Sequence, residues 1–152
     1  MLFSVLLLAV LALSGFQKSV SLCVIEAKLL ANEKEPLGTF NFTILNNGKT
    51  QTTLVEPTIL VRVGQVMYSG YFSKQIRVTL KPNQSYKGQI NCKELAYRQH
   101  STGKRTDYTA FINLLKKEEF VEACVSYTDM TVLGRHKENE NFLVFSNVIR
   151  IR

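Results

Sequence analysis

The stretch 68–86, YSGYFSKQIRVTLKPNQSY, decides the fold that we expect for this chain. Within it, Ile76, Val78 and Leu80 alternate with polar residues, and a period of two places these three apolar side chains on one face of a β-strand. Pro82-Asn83 follows directly, and a turn is expected there because proline cannot donate to a strand ladder. A second alternating run follows this turn. The stretch therefore predicts two consecutive strands of a β-meander.

The same alternation recurs along the chain and predicts about seven strands in all. Asn46-Asn47-Gly48 is predicted to close a tight hairpin, since Asn-Gly tolerates positive φ. Residues 66–71 are expected to add one more short strand, although Tyr68-Ser69-Gly70 within it has turn-forming residues. Residues 93–107 are predicted to form the longest loop, and residues 108–115 a short helix. The seven strands are predicted at residues 22–30, 38–45, 52–55 continued at 58–63 around Pro57, 75–80, 85–92, 119–127 and 142–152.

Short strands separated by turn signals every eight to twelve residues are typical of an all-β, immunoglobulin-like β-sandwich. A chain of 152 residues has room for one such domain, which we place at residues 22–152. The first sixteen residues carry no charge, and their apolar run is shorter than the roughly twenty residues that span a bilayer. Small residues at Ala12 and Ser14 predict cleavage of a signal peptide, residues 1–14. The alternative is a buried N-terminal helix.

Cleavage predicts a secreted protein with no transmembrane segment. In that compartment, Asn41-Phe42-Thr43 and Asn83-Gln84-Ser85 are N-glycosylation acceptors at Asn41 and Asn83. The three cysteines then allow one disulfide with a remaining thiol, three buried thiols, or an intermolecular bond. Alternation places two of them on core faces and the third on the polar face of its strand. They are Cys23, Cys92 and, on the polar face, Cys124.

The formal net charge of +7 favours anionic partners. The basic residues are scattered and show no aromatic interleaving, so nucleic acid is not expected as a partner, and a glycosaminoglycan is a weaker expectation than a protein. Loops at the ends of a sandwich commonly carry recognition. We therefore expect protein contacts at two basic loop segments, whose residues are Lys104, Arg105, Arg135, His136 and Lys137.

Catalytic signals are sparse. His100 and His136 are the only histidines. A nucleophilic arrangement of Cys124, His136 and Asp129 can be drawn, but any β-hairpin would bring such residues together, so it is a weak signal of catalysis. No pair of cysteines has the spacing of a zinc site, and no glycine-rich phosphate loop occurs. The sequence predicts no cofactor, no metal and no enzymatic activity. A small cysteine-dependent enzyme is the remote alternative.

Two motifs in order along the chain resemble the first C-terminal β-domain of transglutaminases. In that family a Tyr-Thr/Ser-Gly segment precedes a strand ending Val-Thr-Leu-x-Pro, and here these positions are Tyr68-Ser69-Gly70 and Val78-Thr79-Leu80-Lys81-Pro82. Upstream, residues 40–44 followed by Asn46-Asn47-Gly48 are similar to the family's strand that enters an asparagine-bearing turn. The resemblance covers nearly all of the chain after the signal peptide, and most of it lies in residues that any β-sandwich requires.

The departures from the family bear on function. Transglutaminases carry their thiol, histidine and acid in a separate catalytic core with a Gln-Cys-Trp motif, whereas this chain has no tryptophan and no such motif. The resemblance therefore implies a secreted, non-catalytic relative of the accessory domain that binds a protein partner. The alternative is a regulatory or structural subunit that docks on a transglutaminase catalytic core.

Overall fold

A computed structural model describes residues 23–71, 76–129 and 143–152 of the chain. In these ranges one α-helix, α1 (Tyr108–Leu115), and one 3-10 turn, Cys92–Glu94, accompany eleven β-strands. The strands are β1 (Cys23–Leu30), β2 (Thr39–Asn46), β3 (Thr52–Val63), β4 (Val66–Tyr71), β5 (Arg77–Leu80), β6 (Ser85–Asn91), β7 (Ala96–Gln99), β8 (Arg105–Thr106), β9 (Val121–Asp129), β10 (Leu143–Phe145) and β11 (Ile149–Arg150).

The strands form two antiparallel sheets. The smaller sheet has the order β1-β2-β6, and the larger has the order β10-β9-β3-β4-β7-β8, with β11 paired to β9 and β5 paired to β3. Immunoglobulin domains place strands A, B, E and D in one sheet and C, F and G in the other, and the variable type adds C′ beside C. The orders β1-β2-β6 and β10-β9-β3-β4 reproduce A-B-E and G-F-C-C′, while β5, at the place of D, pairs β3 in the larger sheet. The prediction of an all-β, immunoglobulin-like sandwich is confirmed.

The core lies between the sheets, and strand alternation explains its composition. Phe40, Phe42 and Ile44 of β2 are buried while their neighbours Asn41 and Thr43 are only half-buried, as a period of two requires. On the opposite side of the sandwich, Ile59, Val61 and Val63 of β3 are buried in the same way. The predicted inward faces of the strands are therefore confirmed.

Helix α1 closes one end of the core. Asp107 caps its first turn by accepting a hydrogen bond from the backbone N–H of Ala110 at 2.8 Å. Phe111 and Leu115 are buried, and the Phe111 ring stacks on that of Tyr97 with centroids 4.1 Å apart. The short helix predicted at residues 108–115 is confirmed. It could be predicted because its capping residue and its apolar side chains are neighbours in the sequence.

A separate set of contacts joins the two sheets along one side. Ile25 of β1 and Ser146 form a parallel bridge. One residue further on, the Asn147 side chain accepts from the N–H of Ala27 at 2.8 Å and donates to its carbonyl at 3.1 Å. An amide side chain thus mimics a strand neighbour and ties β1 to the segment between β10 and β11.

Several boundaries differ from prediction. Residues 93–107 are not one long loop, because they contain the β7–β8 hairpin and the 3-10 turn. Tyr68-Ser69-Gly70 continues in β4 instead of turning. The strand predicted in two segments at residues 52–63 is the single strand β3, whose register shifts between Val55 and Thr58 around Pro57, which cannot donate to the ladder. The turn predicted at Pro82-Asn83 is confirmed, with Asn83 at φ 62°.

The hairpin predicted at Asn46-Asn47-Gly48 is wrong. β2 and β3 lie in different sheets, so this segment crosses between the sheets. The buried Asn46 side chain accepts from the N–H of Gly48 at 3.0 Å and donates to the carbonyls of Thr50 at 2.8 Å and Leu80 at 3.1 Å. An Asx-type turn, and not a tight hairpin, redirects the chain here.

All three cysteines lie in the described ranges, and no disulfide joins any two of them. Cys23 and Cys92 are buried on core faces, as alternation predicts, and Cys124 lies on the opposite face of β9. Of the arrangements left open above, an intramolecular disulfide is therefore not what the fold provides. The signal peptide predicted at residues 1–14 and the basic segment of Arg135, His136 and Lys137 lie outside the described residues.

Candidate functional site

The site is built on the outer face of the larger sheet. In antiparallel pairs, directly opposed residues point to the same side, so the registers define rows of side chains across the sheet. Leu60 of β3 lies opposite Cys124 of β9 and Ser69 of β4, Ser69 lies opposite Arg98 of β7, and Arg98 lies opposite Arg105 of β8. This middle row crosses five strands.

A second row runs beside it. Arg62 of β3 lies opposite Glu122 of β9 and Met67 of β4, and Glu122 lies opposite Arg150 of β11. The two rows together place four arginines, Arg62, Arg98, Arg105 and Arg150, on one side of the sheet with the single carboxylate of Glu122. Lys104 is exposed in the turn that leads into β8, where its carbonyl accepts from the N–H of Gln99, a residue paired with Tyr68 on the other side of the sheet. We call the four arginines the basic face.

The two arginines at the β9 end of the face are held in place. Arg62 Nε lies 2.8 Å from Glu122 Oε1, and both side chains are mostly buried, at 18% and 16% exposed. The Arg62 guanidinium lies 4.5 Å above the centre of the Phe120 ring, and that of Arg150 lies 5.4 Å from it. Two cation–π contacts with one ring fix the positions of both guanidinium groups.

The hairpin at the other end of the face is more open. Arg98, Lys104 and Arg105 are all exposed. Arg98 Nε donates to the carbonyl of Gly103 at 3.3 Å, and Gly103 adopts φ +68°, which an L side chain rarely tolerates. The sequence predicted Lys104 and Arg105 as loop residues. In the structure Arg105 lies in β8, directly opposite Arg98 of β7.

A shallow, less polar area lies between the cations. Leu60, Met67 and Cys124 are half-buried there, and Tyr71 at the end of β4 is 41% exposed. Ser69 is buried, and its hydroxyl hydrogen-bonds Nε2 of His100, whose backbone N–H donates to Met67 at 2.9 Å. The middle of the face is thus a set of small and apolar groups enclosed by arginines.

Cys124 is poorly suited to act as a nucleophile. Burial raises the pKa of its thiol to about 12, and the neighbouring Glu122 carboxylate adds to the shift. A catalytic cysteine needs the reverse, a pKa lowered by nearby positive charge. Burial likewise raises the pKa of Cys92 to about 12. The partners proposed for Cys124 from the sequence, His136 and the Asp129 side chain, lie outside what the structure describes.

The predicted glycosylation residues lie away from the basic face. Asn41 is on the outer side of the smaller sheet, where its Oδ1 accepts from Gln89 Nε2 at 3.0 Å. This hydrogen bond occupies only the amide oxygen, whereas a glycan joins the nitrogen. Asn83 is exposed in the turn between β5 and β6.

The described ranges contain no group of three or more His, Cys, Asp or Glu side chains that could hold a metal ion. In those ranges there is also no helix with the length and apolar character needed to span a membrane.

Sequence reasoning missed Arg62, Arg98 and Arg150 as members of the site. Alternation placed Arg150 on the polar side of its strand, whereas Arg98 fell in the segment predicted as the longest loop. Alternation does not give the register between strands, which places Arg150, 88 positions from Arg62, in the same row as Arg62, and Arg98, 36 positions away, in the adjacent row. A signal was present only in the excess of basic over acidic residues along these strands.

Comparisons with known proteins add little. No protein-family model matches the sequence, and no curated protein matches it. A solved structure described as "Crystal structure of protein from Archaeoglobus fulgidus" has a TM-score of 0.39 and 11% identity, covering 85% of this chain and 94% of that one. Similarity at this level supports no functional argument.

Proposed function

We propose that this protein is a non-catalytic binding module that docks through the basic face onto an acidic surface of a protein partner. The observation that carries the proposal is the alignment of four arginines on one sheet face with a single carboxylate among them. Such an arrangement favours a partner of opposite charge and speeds its association.

The composition of the face supports a protein partner over a simple polyanion. Arginine, methionine and tyrosine are enriched at protein interfaces, where apolar groups fill the centre and polar groups form the rim. Met67, Leu60 and Tyr71 supply such a centre beside the arginines. A sulfated glycosaminoglycan would use the cations alone and leave these side chains without a role.

Secretion and glycosylation form part of the proposal. They rest on the apolar run at residues 1–14 and on the two acceptor triplets at Asn41 and Asn83. The free Nδ2 position of Asn41 and the exposure of Asn83 are compatible with glycans at both. Both residues lie away from the basic face, so glycans there would leave it accessible.

A transglutaminase catalytic core is a specific candidate for the partner. Tyr68-Ser69-Gly70, one of the two motifs that resemble the family's accessory domain, lies in β4. Ser69 in this motif is directly opposite Arg98 and so belongs to the middle row of the basic face. This coincidence supports docking on a catalytic core as the second candidate function. Hydrolysis by Cys124 stays remote, since its raised pKa keeps the thiol protonated at neutral pH.

The test compares two charge-reversed variants of the secreted protein. Arg98→Glu/Arg105→Glu changes two exposed cations of the basic face, and Lys28→Glu/Lys87→Glu changes two exposed cations of the smaller sheet by the same total charge. Proteins captured by wild type are identified by mass spectrometry, expressed, and measured by surface plasmon resonance at two salt concentrations. We expect the first variant to bind at least about tenfold more weakly and the second to bind within about twofold of wild type.

Circular dichroism and thermal melts of both variants control for folding. The proposal is wrong if the two variants lose affinity equally, or if binding to wild type does not weaken with salt. A captured transglutaminase core would favour the regulatory-subunit function over a general binding module.

A further inference from the structure

A cleft opens between the two sheets at the end opposite the β2–β3 crossover. It has a volume of about 630 Å³, within the range typical of small-molecule sites. The end of β1 and the segment that follows it form one wall, and the last residue of α1 with Lys116 forms the other. The start of β9 and the segment from β11 to Arg152 lie between them.

The lining of the cleft combines apolar and polar residues, and its apolar part lies deepest. Leu29, Ile149 and Ile151 are half-buried, which leaves part of each side chain facing the opening, and Leu115 and Val121 lie almost fully buried behind them. These side chains come from both sheets and the helix. A linear hydrocarbon chain could be removed from water against them.

The rim carries an excess of positive charge. Lys116 and Arg152 line it together with the Glu33 carboxylate, and Arg150 also borders it although its guanidinium lies near the Phe120 ring on the outer face of the larger sheet. Arg152 Nη1 donates to the carbonyl of Lys116 at 2.7 Å, and Arg150 Nε donates to the carbonyl of Arg152 at 3.2 Å. Each guanidinium has five donors, so each keeps others for a ligand.

The wall formed by residues 31–36 is held by its own hydrogen bonds. The backbones of Asn32 and Glu35 exchange two bonds of 3.1 Å, and Asn32 Oδ1 accepts from the N–H groups of Lys34 and Glu35. The Glu35 carboxylate also forms an ion pair with Lys93. A wall fixed in this way need not be ordered when a ligand binds, which lowers the entropic cost of binding.

From the apolar interior and cationic rim we infer that the cleft binds a single-chain amphiphilic anion, a fatty-acid-like carboxylate whose tail lies against Leu29, Ile149 and Ile151 and whose head meets Lys116 and Arg152. The proposed function does not require this activity. The cleft and the basic face share only Arg150.

Isothermal titration calorimetry of the whole secreted protein with dodecanoate, below its micelle concentration, tests the inference. We expect one molecule to bind per protein, hexanoate to bind at least about tenfold more weakly because each methylene contributes about fourfold, and dodecyltrimethylammonium to bind at least about tenfold more weakly because its charge is wrong for the rim. The chain-length comparison tests the apolar interior, and the cation tests the rim.

Two adjacent lysines provide a matched pair of variants. Lys116 lines the cleft and Lys117 does not, and both are exposed. Lys116→Glu should weaken dodecanoate binding by roughly fivefold or more, and Lys117→Glu should change it by less than about twofold. Absence of binding by dodecanoate, equal binding of the cationic amphiphile, or equal effects of the two substitutions would each overturn the inference.

Discussion

Two buried tyrosines in the same core differ in whether their hydroxyl forms a hydrogen bond. Tyr97 and Tyr127 are both completely buried. The Tyr97 hydroxyl donates to the carbonyl of Cys92 at 2.9 Å, whereas that of Tyr127 has no hydrogen-bond partner among the described residues. Burial raises the pKa of both phenols. Burying a hydroxyl without a hydrogen-bond partner lowers the stability of the fold by about 1–3 kcal/mol, because the lost hydration is not replaced by a hydrogen bond.

Substitution of each tyrosine by phenylalanine should therefore give opposite results. Tyr127→Phe is expected to leave the free energy of unfolding unchanged or to raise it by about 1 kcal/mol. Tyr97→Phe should lower it by about 1 kcal/mol, because the Cys92 carbonyl loses its shorter bond and keeps only the 3.4 Å bond from the Leu95 N–H. Urea unfolding of both variants and wild type measures the difference. Equal destabilisation of the two would mean that the Tyr127 hydroxyl has a partner.

At the same scale, the sequence predicted which side chains are buried but not what they bond to. Alternation assigned Cys23, Phe40 and Val78 to the core, and all three are buried. The hydroxyl bonds of Tyr97 and Tyr127 depend on backbone carbonyls brought near by the fold, which a pattern of apolar and polar residues does not encode.

Among the elements, the crossover from β2 to β3 depends on the hydrogen bonds of one side chain, that of Asn46. Asn46 is fully buried, and its amide satisfies the N–H of Gly48 and the carbonyls of Thr50 and Leu80. Through Leu80 it also joins the end of β2 to β5, in the other sheet. Asn47, next to it, is exposed.

Asn46→Ala would remove the amide partner of three backbone groups, and the bond to the Leu80 carbonyl is fully buried. We expect it to lower the free energy of unfolding by about 2–4 kcal/mol, and Asn47→Ala to change it by less than about 0.5 kcal/mol. Thermal and urea denaturation of the two single variants provide the comparison. A small effect at Asn46 would show that water replaces its amide.

The sequence predicted most elements and failed at their connections for a physical reason. Asn46-Asn47-Gly48 suits a hairpin as well as a crossover, and the choice depends on which strands lie beside β2, which is a property of the whole sheet. The short strands β8, β10 and β11 have two or three residues each, too few to show a period of two. The eleven strands exceed the predicted seven mainly because β7 and β8 lie in the predicted loop 93–107 and β10 and β11 divide the predicted strand 142–152.

For the molecule as a whole, the two sheets present surfaces of different character. The outer side of the larger sheet carries the basic face, and the outer side of the smaller sheet carries Asn41 at the centre of its middle strand. The sequence could predict both surfaces only in part, since it identified Asn41, Lys104 and Arg105 but not the register that aligns them with other residues.

This separation leads to a prediction that distinguishes the surfaces. Asn41→Gln should remove the mass of one N-glycan from the protein secreted by a eukaryotic host, with no change greater than about twofold in affinity for the partner. Intact-mass analysis and surface plasmon resonance measure the two results. An unglycosylated secreted wild type would contradict the first, and loss of partner binding in the variant would place the docking surface on the smaller sheet.

The contact between Ala27 and Asn147 also has a consequence for the kinetics of folding. These residues are 120 positions apart, and closing a loop of that length costs roughly 4 kcal/mol of chain entropy before the hydrogen bonds form. The β3–β4 and β7–β8 hairpins need loops of only a few residues. The hairpins should therefore form early and the seam along β1 late, so the rate of folding depends on how soon the two ends of the described chain meet.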